Sequence, residues 1–353
     1  MPSTDEFTGW LGYDAQSVNG NLKKGTFNPK IFTDDDIDIE ISHCGMCASD
    51  LHTLRSGWGA TPYPVVVGHE IIGKVIKKGA NVTQFELGDR VGVGAQCYSC
   101  LEADCHECTS DNEAYCPEAV FTYAMTYANG DMSYGGYAKT GRYPASFAFK
   151  IPEALTSEVA APMMCGGITV YSPLKRNGAG PGKTVGIVGI GGLGHFGILF
   201  AKALGAEKVY GISRNTSKEA DVKALGAEGI IATSEPGWAS KWNRKFDLIV
   251  STANNSDMPL HDYLAVLKTG GRFVQVGLPE SPIPSLQFRP LINRNLHIVG
   301  SLLGSRSEIA EMLELSATQG VKSWIKTYPM EDVNEVLLLM EANKARYRFV
   351  LAN

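Results

Sequence analysis

The sequence predicts an α/β protein with two domains, one mainly β and the other a doubly wound domain around a parallel sheet. Two observations predict this fold class. The first third of the chain has short apolar runs broken by glycines, and after about Ile168 apolar strand patterns alternate with helical ones. The 353 residues are also enough for two domains that each bury a core of their own.

Short strands and glycine turns fill the first third. Ile37, Ile39 and Ile41 alternate with acidic residues, and this period of two predicts a strand with one buried face and one solvent face. Further apolar runs follow at residues 65–67, 71–76 and 90–93, broken by Gly68, Gly73, Gly79 and Gly88. Together these runs predict a closed, mainly antiparallel β domain.

Strand and helix patterns alternate through the middle of the chain. Strands are predicted at residues 185–188, 209–212, around 230, 246–250, 272–276 and 297–302. One helical pattern spans 193–204 and ends at Gly205, a residue type that favours the turn after a helix, and another spans 260–267. This alternation predicts right-handed βαβ units and a parallel sheet, and six strands is the number in the doubly wound dinucleotide fold.

The last fifty residues carry elements that we expect to return to the first domain. Ser305 and Glu308 have the spacing of a capping box at the start of a helix. A second helix is predicted at about 332–342, and a short final strand at 347–351. The domains are therefore predicted as residues 1–164 with 302–353 for the β domain, and 165–301 for the nucleotide domain.

Composition narrows the function class. The net charge of −5 lacks the basic surplus of nucleic-acid binders, which argues against a nucleic-acid partner. No run reaches the roughly 18 apolar residues of a transmembrane helix. The first ten residues have neither a basic segment nor a long apolar one, so no signal peptide is visible. We expect a cytoplasmic protein with no membrane partner.

A glycine motif follows the first strand of the predicted parallel sheet. Its residues are Gly189, Gly191, Gly192, Leu193 and Gly194. Such a motif allows a tight turn, a close approach of the backbone to a pyrophosphate, and close packing of helix on strand. The helix N-terminus then offers free N–H groups to the phosphates. The motif predicts a dinucleotide site, with a purely structural turn as the alternative.

The end of the second strand predicts which dinucleotide binds. An NAD site carries an acidic residue there, whereas this chain has Ser213 and Arg214, with Lys218 a few residues further. Arg214 can pair with a 2′-phosphate that a carboxylate would repel. NADP is therefore the predicted cofactor. The alternative is a solvated loop whose basic residues are incidental.

The cysteines are clustered rather than scattered. Eight are present, and a quartet is formed by Cys100, Cys105, Cys108 and Cys116. Four thiolates with no open position predict a structural zinc. Cys97 can replace Cys100 as the first ligand on spacing alone, and His106 within the loop is expected to be solvated.

A second constellation is dispersed along the chain. It comprises Cys47, His69 with the adjacent Glu70, and Cys165. A catalytic zinc needs three protein ligands and an exchangeable fourth position, and a Cys2His set suits alcohol chemistry. Spacing alone does not establish this site, since a lone buried cysteine such as Cys165 is usually part of a core.

Four motifs resemble one known family. HCGMCASDLH, GHE, APMMCGGITVYSPL and RYRFV occur in order along almost the whole chain. In this they resemble the zinc-containing medium-chain alcohol dehydrogenases, and more narrowly the cinnamyl alcohol dehydrogenase branch with its fungal members. The resemblance implies a GroES-like catalytic domain, a Rossmann nucleotide domain, one catalytic and one structural zinc, and a homodimer. It also implies NADP(H)-dependent interconversion of primary alcohols and aldehydes, aromatic or medium-chain, by hydride transfer.

The resemblance assigns roles to the dispersed residues. Cys47, His69 and Cys165 match the catalytic zinc ligands, Glu70 matches a carboxylate that can enter the zinc shell, and Asp50 matches the partner that orients His69. Cys44 matches no ligand and is expected to pack in the core.

Four more residues receive roles in the same way. Ser49 is expected to hydrogen-bond the reacting oxygen, and His52 to connect a proton relay to solvent. Thr169 is expected to touch the nicotinamide, and Arg348 to lie near the cofactor phosphates. The alternatives are a helix N-cap for Ser49 and a surface histidine for His52.

The segment at about residues 97–116 that carries the cysteine quartet, called the lobe below, departs from the family pattern in one place. Four residues separate Cys100 from Cys105, where the family usually has two. With Cys97 as first ligand the gap would be longer still, and the residues around Cys100 resemble the start of the fungal lobe. We therefore expect Cys100 to be the first ligand.

Overall fold

The computed structural model describes residue 3, residues 5–282 and residues 285–353. The chain divides into two compact units, Met1–Cys165 with Ser305–Asn353, and Gly166–Gly304. Within the described residues, no helix combines the length and the apolar character needed to cross a membrane.

The described residues form the following strands and helices. The strands are β1 Phe7–Leu11, β2 Lys23–Phe27, β3 Asp36–Met46, β4 Glu70–Lys78, β5 Arg90–Val93, β6 Gln96–Tyr98, β7 Val120–Phe121, β8 Thr140–Pro144, β9 Ala148–Lys150, β10 Thr184–Val188, β11 Lys208–Ser213, β12 Gly229–Ala232, β13 Phe246–Ser251, β14 Leu267–Gln275, β15 His297–Gly300, β16 Ile325–Pro329 and β17 Arg348–Ala352. The α-helices are α1 Ala48–Leu54, α2 His106–Thr109, α3 Ser157–Ala160, α4 Gly166–Arg176, α5 Gly192–Ala203, α6 Glu219–Ala224, α7 Trp238–Lys241, α8 Leu260–Val266, α9 Arg289–Arg294, α10 Arg306–Gln319 and α11 Val333–Glu341.

The first unit is built on a mainly antiparallel sheet. Its strand order is β16-β17-β3-β4-β5-β9, and β8 pairs with the first part of β3, on the edge whose last part pairs with β17. The path ends at β16 and β9, so among the described strands the sheet is open where a closed one was predicted. Pro329 at the end of β16 has no N–H to donate, which suits an edge strand.

The second unit contains the predicted parallel sheet. Its order is β12-β11-β10-β13-β14-β15, and every neighbouring pair is parallel. In this order the chain works outward from β10 to one edge and then to the other, so the topology switches beside β10. The fold class predicted from the sequence is confirmed.

The capping box before α10 is also confirmed. Ser305 Oγ accepts from the backbone N–H of Glu308 at 3.1 Å, and Glu308 Oε2 accepts from the N–H of Ser305 at 2.9 Å. The last strand, β17, pairs antiparallel with β3, so the C-terminal segment completes the sheet of the first unit. Arg348 at the start of β17 is thereby held beside the residues that begin α1 and β4.

The solvent face predicted for β3 is wrong at two of its acidic residues. Asp36 and Asp38 are buried, and only Glu40 is exposed. The register of β3 and β8 puts Arg142 opposite Asp38, and the guanidinium donates to both carboxylate oxygens at 2.7 and 3.0 Å. Asp36 is paired with the ammonium of Lys30. Because these cations lie elsewhere in the sequence, a local period of two cannot reveal them.

We expect Arg142→Leu to lower the free energy of unfolding by about 3–5 kcal/mol, because it leaves the buried Asp38 without its cation. Urea denaturation measures the change. Lys24→Ala is the matched control: Lys24 and Glu331 pair at 2.6 Å but both are more than half exposed, so the loss should stay under about 1 kcal/mol. Equal effects of the two substitutions would contradict a stabilising role for the buried pair.

Candidate functional site

Four buried side chains of the first unit come together in one cluster. Ligand atoms of Cys47, His69, Glu70 and Cys165 all lie within 4.8 Å of one another. Cys47 is the N-cap of α1, His69 precedes β4, Glu70 opens that strand, and Cys165 follows a 3-10 turn over residues 161–164. Three separate turns of the chain therefore deliver the four groups to one place.

The carboxylate of Asp50 organises two of these turns. It accepts from the backbone N–H of Cys47 at 2.9 Å and from the N–H of Gly68 at 3.1 Å. A third hydrogen bond comes from the hydroxyl of Tyr137 at 2.8 Å. The side chain is fully buried, and its charge contributes to the raised pKa of His69. Asp50 thus fixes the backbone on both sides of the cluster.

The pKa values of three residues in this cluster are shifted by burial and by one another. A hydrogen bond from Cys165 lowers the pKa of Cys47 well below its usual value. Burial disfavours a charged His69, yet its interaction with the nearby Cys47 sulfur and the surrounding negative charges raise the pKa of His69 to about 9. Burial also raises the pKa of Glu70, to about 7, against the pull of Arg348. A cation bound here would replace the protons of these groups.

The donor set fits zinc. His69 Nε2 is buried and has no hydrogen-bond partner among the described residues. Such an atom is costly unless something binds it, and here it belongs to a cluster with two sulfurs. Two thiolates and one imidazole form the set that leaves zinc an exchangeable fourth position.

Glu70 is held by two features behind the cluster. Arg348 Nη2 donates to Glu70 Oε1, and both residues are almost fully buried. Gly45 leaves room for the carboxylate, because a Cβ at that position would stand 2.0 Å from Glu70 Oε2. No local pattern marks the role of Gly45, since a lone glycine within a strand pattern has many explanations. Arg348, expected near phosphates, contacts Glu70 in this structure.

The two relay residues lie on the first turns of α1. Ser49 is half-buried, and its Oγ stands 3.5 Å from Cys47 Sγ. It is not the helix N-cap that the sequence allowed, because Cys47 occupies that position. His52 is half-buried and stacks on Trp58, with ring centroids 4.5 Å apart and planes 17° from parallel.

The second cysteine cluster has the geometry of a four-sulfur site. The Sγ atom of Cys100 lies 3.7 Å from that of Cys108 and 3.6 Å from that of Cys116. The Sγ atoms of Cys105 and Cys116 are 4.0 Å apart. Tetrahedral zinc with Zn–S bonds of about 2.3 Å separates its sulfurs by about 3.8 Å. All four cysteines are free thiols in a group that fits a metal ion. His106 on the same lobe is exposed.

Cys97 lies outside this cluster. It is fully buried in β6, where its Sγ is 3.1 Å from the hydroxyl of Tyr127 and 3.4 Å from the carbonyl oxygen of Val120. Burial raises the pKa of its thiol to about 12. A neutral thiol with its own partners behaves as a core residue, so the geometry favours Cys100 as the first member of the quartet.

The glycines of the motif in the second unit meet different structural requirements. Gly189 has a φ of +84°, in the left-handed region that favours glycine. A Cβ at Gly194 would stand 1.9 Å from the carbonyl oxygen of Gly189, so only glycine allows α5 to pack this closely. A Cβ at Gly191 would meet nothing within 4 Å. The surface at Gly191, Gly192 and Leu193 is therefore open to a ligand at the start of α5.

The predicted phosphate-reading residues follow β11. Ser213 is half-buried at its end, and Arg214 is exposed. The ammonium of Lys218 donates to the backbone carbonyl of Ile190, within the glycine motif. Lys218 thus connects this loop to the motif. Thr169 is half-buried in α4.

Three site-supporting residues escaped the sequence analysis. Tyr137 donates to Asp50 from 87 residues away, and no local pattern marks it. Tyr123 stacks on His69 with nearly parallel rings. His195 is buried in α5, with Nδ1 2.7 Å from the carbonyl oxygen of Gly192. Its place directly after the glycine motif was the one available signal.

Comparison with known proteins identifies the family. Residues 33–153 match the alcohol dehydrogenase GroES-like domain, and residues 192–318 match the zinc-binding dehydrogenase domain. NADP-dependent alcohol dehydrogenase 6 of Saccharomyces cerevisiae is 46% identical over 94% of this chain and 92% of that protein. The chain belongs to the zinc-binding alcohol dehydrogenase family, which confirms the resemblance seen in the motifs.

Two plant proteins to which the chain is similar are named as cinnamyl alcohol dehydrogenases. A probable cinnamyl alcohol dehydrogenase 3 of Oryza sativa is 38% identical over 97% of this chain and 92% of that protein. The solved structure of a cinnamyl alcohol dehydrogenase from Sorghum bicolor superposes with a TM-score of 0.92 at 34% identity, covering 99% of this chain and 98% of that one.

We expect Gly191→Ala and Gly194→Ala to fail in different ways. Gly191→Ala should leave the melting temperature unchanged, because its methyl group meets open space, but weaken NADPH binding roughly tenfold to a hundredfold by displacing the cofactor. Gly194→Ala should lower the free energy of unfolding by about 1–3 kcal/mol or more, because its methyl group strikes backbone. Fluorescence titration and thermal unfolding measure the two effects. Unaltered NADPH affinity in Gly191→Ala would contradict its role.

Proposed function

We propose that this chain is an NADP(H)-dependent zinc alcohol dehydrogenase that interconverts primary alcohols and aldehydes, aromatic or medium-chain, by hydride transfer. One observation carries the proposal: a buried Cys47, His69 and Cys165 set in which His69 Nε2 has no protein partner among the described residues. A structural metal site would close its shell with a fourth strong ligand, as the lobe cysteines do.

Two zinc ions are proposed, with separate tasks. Cys47, His69 and Cys165 would hold the catalytic ion, with Glu70 beside them as a carboxylate that can enter the shell. Cys100, Cys105, Cys108 and Cys116 would hold the structural ion. When bound, the catalytic zinc supplies Lewis acidity that polarises the carbon–oxygen bond of the substrate.

Two residues of the chain, Ser49 and His52, are proposed to transfer the hydroxyl proton of the substrate. We propose that the Ser49 hydroxyl hydrogen-bonds the reacting oxygen, since it stands beside Cys47 at the start of α1. In alcohol oxidation Ser49 would accept the hydroxyl proton as it gives up its own proton toward His52. His52, one helical turn further and half-buried, would return the proton to solvent. When bound, NADP(H) would supply the hydride acceptor in oxidation and the hydride donor in reduction.

Domain roles follow from these positions. Residues 1–164 with 302–353 are proposed as the catalytic, zinc-binding domain, and 165–301 as the NADP-binding domain. The pyrophosphate would lie at the N-terminus of α5, over Gly189, Gly191, Gly192, Leu193 and Gly194. Thr169 is proposed to touch the nicotinamide, and Arg348 to lie near the phosphates while it holds Glu70.

NADP rather than NAD is proposed from the loop after β11. Ser213 and Arg214 stand where an NAD site carries an acid, and the yeast relative is NADP-dependent by name. Lys218 would join them by exchanging the carbonyl of Ile190 for the 2′-phosphate. Eight free thiols suit a reducing, cytoplasmic setting, which we propose for the protein.

We expect the purified protein to oxidise NADPH in the presence of aromatic and medium-chain aldehydes and to contain about two zinc ions per chain. Cys165→Ala should lose activity and retain about one zinc, because the catalytic set loses a ligand while the lobe is intact. Metal analysis and an aldehyde panel measure this. Cys97→Ser is the matched control and should keep both ions and the activity. Aldehyde reduction by Cys165→Ala at the wild-type rate would disprove the catalytic site.

Arg214→Ala should lower the ratio of kcat/KM with NADPH to that with NADH roughly tenfold to a hundredfold, because a charge-assisted hydrogen bond of about 1.5–3 kcal/mol is lost. Ser213→Asp should lower the ratio further by repelling the phosphate. Lys223→Ala is the control, since Lys223 pairs with Glu219 on the exposed side of α6. A wild type that prefers NADH, or an Arg214→Ala that weakens both cofactors equally, would show that this loop does not read the phosphate.

A homodimer is proposed through the edge of the second unit's sheet. β15 is the last strand of that sheet, and Phe288, Ile292 and Ile298 near it are 68%, 76% and 41% exposed. Exposed apolar residues beside a strand edge are typical of an association surface. A second copy presenting the same face would cover both, as in a two-fold dimer.

The double substitution Ile292→Asp with Ile298→Lys should convert the dimer to monomers, because it places charges on the apolar face. Sedimentation velocity at micromolar concentration measures the state. Leu87→Lys, at a residue that is 65% exposed on the first unit, is the control and should leave the dimer intact. A wild type that sediments as a monomer would refute the proposed dimer.

A further inference from the structure

One buried aromatic residue at the metal cluster has no role in the proposed chemistry. Tyr123 follows β7 and is 7% exposed. Its ring lies against the imidazole of His69, with centroids 5.2 Å apart and planes only 6° from parallel. Parallel, offset rings at this distance attract each other and resist rotation of either ring.

The backbone that carries Tyr123 is anchored independently of its side chain. The N–H of the preceding Thr122 donates to the carbonyl of Ala95 at 3.0 Å, and its hydroxyl donates to the carbonyl of Gly94 at 2.5 Å. Both acceptors directly follow β5. This strand belongs to the same sheet as β4, which begins immediately after His69. The ring of Tyr123 is therefore a fixed surface, against which the imidazole of His69 is held.

The hydroxyl of Tyr123 plays a different part from that of Tyr137. Tyr137 donates to Asp50 at 2.8 Å, whereas the Tyr123 hydroxyl, which is also near Asp50, makes no hydrogen bond of good geometry among the residues that the structure describes. In the ring contact, by contrast, Tyr123 meets a metal-ligand candidate directly. The ring, more than the hydroxyl, accounts for the placement of this side chain.

We propose that Tyr123 is a positioning residue of the catalytic metal centre, whose ring fixes the plane of the His69 imidazole relative to the sulfurs of Cys47 and Cys165. The inference rests on the proposed zinc site. Asp50 orients the backbone on either side of the cluster. Tyr123 holds His69, the one proposed ligand whose side chain is a flat ring that can rotate about its bonds. Residues that orient a metal ligand commonly change metal affinity tenfold to a hundredfold when they are lost.

The test compares a flat and a flexible replacement. In Tyr123→Phe the ring stays and only the hydroxyl is lost, so transfer of zinc from the catalytic site to a chromogenic chelator should stay within about twofold of wild type. In Tyr123→Met the stacking surface is lost, and transfer should be about tenfold to a hundredfold faster. The visible spectrum of the Co²⁺-substituted protein should shift in Tyr123→Met and not in Tyr123→Phe, because it reports the geometry of the ligands.

The control and the opposing outcomes separate this inference from the proposed function. Tyr143→Met removes another buried tyrosine of the same unit, whose hydroxyl donates to the carbonyl of Tyr134 at 3.2 Å, and should lower stability without changing the cobalt spectrum. If Tyr123→Met does not fold, Tyr123→Leu gives the same comparison. A wild type that binds no catalytic metal refutes the proposed function. A wild type that binds it, with Tyr123→Met unchanged or Tyr123→Phe equally impaired, refutes the role of the ring alone.

Discussion

The metal cluster of the first unit depends on one buried carboxylate. Asp50 accepts hydrogen bonds from the N–H of Cys47, from the N–H of Gly68 and from the hydroxyl of Tyr137. The first closes the start of α1, the second holds the turn before His69, and the third connects both to the segment before β8 that carries Tyr137. A buried charge with three donors is stable in place, and a partly satisfied one would not be. The positions of both the cysteine and the histidine ligand therefore follow from this residue.

Negative charge is concentrated around the Asp50 carboxylate, and residues from several segments of the chain compensate it. Arg348 reaches Glu70 from the C-terminal strand β17, which pairs with β3 of the same unit. Gly45 gives the Glu70 carboxylate its space. Elsewhere in the same sheet, Lys30 and Arg142 neutralise Asp36 and Asp38. Arg348 and Arg142 are distant in sequence from their partners and are brought to them by the sheet, whereas Lys30 is six residues from Asp36 and lies outside β3.

Much of this architecture can be predicted from local patterns. The parallel sheet, α5 with its terminal Gly205, the capping box at Ser305 and the family motifs all depend on residues close in sequence, and the structure has them where they were expected. The errors have a common cause. Asp38 is paired with Arg142 of β8, and Asp36 with Lys30 of the loop before β3. Ser49 is not the N-cap because Asp50 makes Cys47 the start of the helix. Tyr123 and Tyr137 reach the site through tertiary contacts that no spacing shows.

The two glycines that begin α5 differ in what enforces them. At Gly194 the protein's own backbone excludes a side chain, whereas at Gly191 the space around the missing Cβ is empty in the chain itself. A side chain at position 194 therefore destabilises the fold itself, whether or not a ligand is present. A side chain at position 191 leaves the fold intact and affects only the binding of the ligand. For protein engineering, position 191 is thus a place where ligand choice can be altered without remaking the scaffold, and position 194 is not.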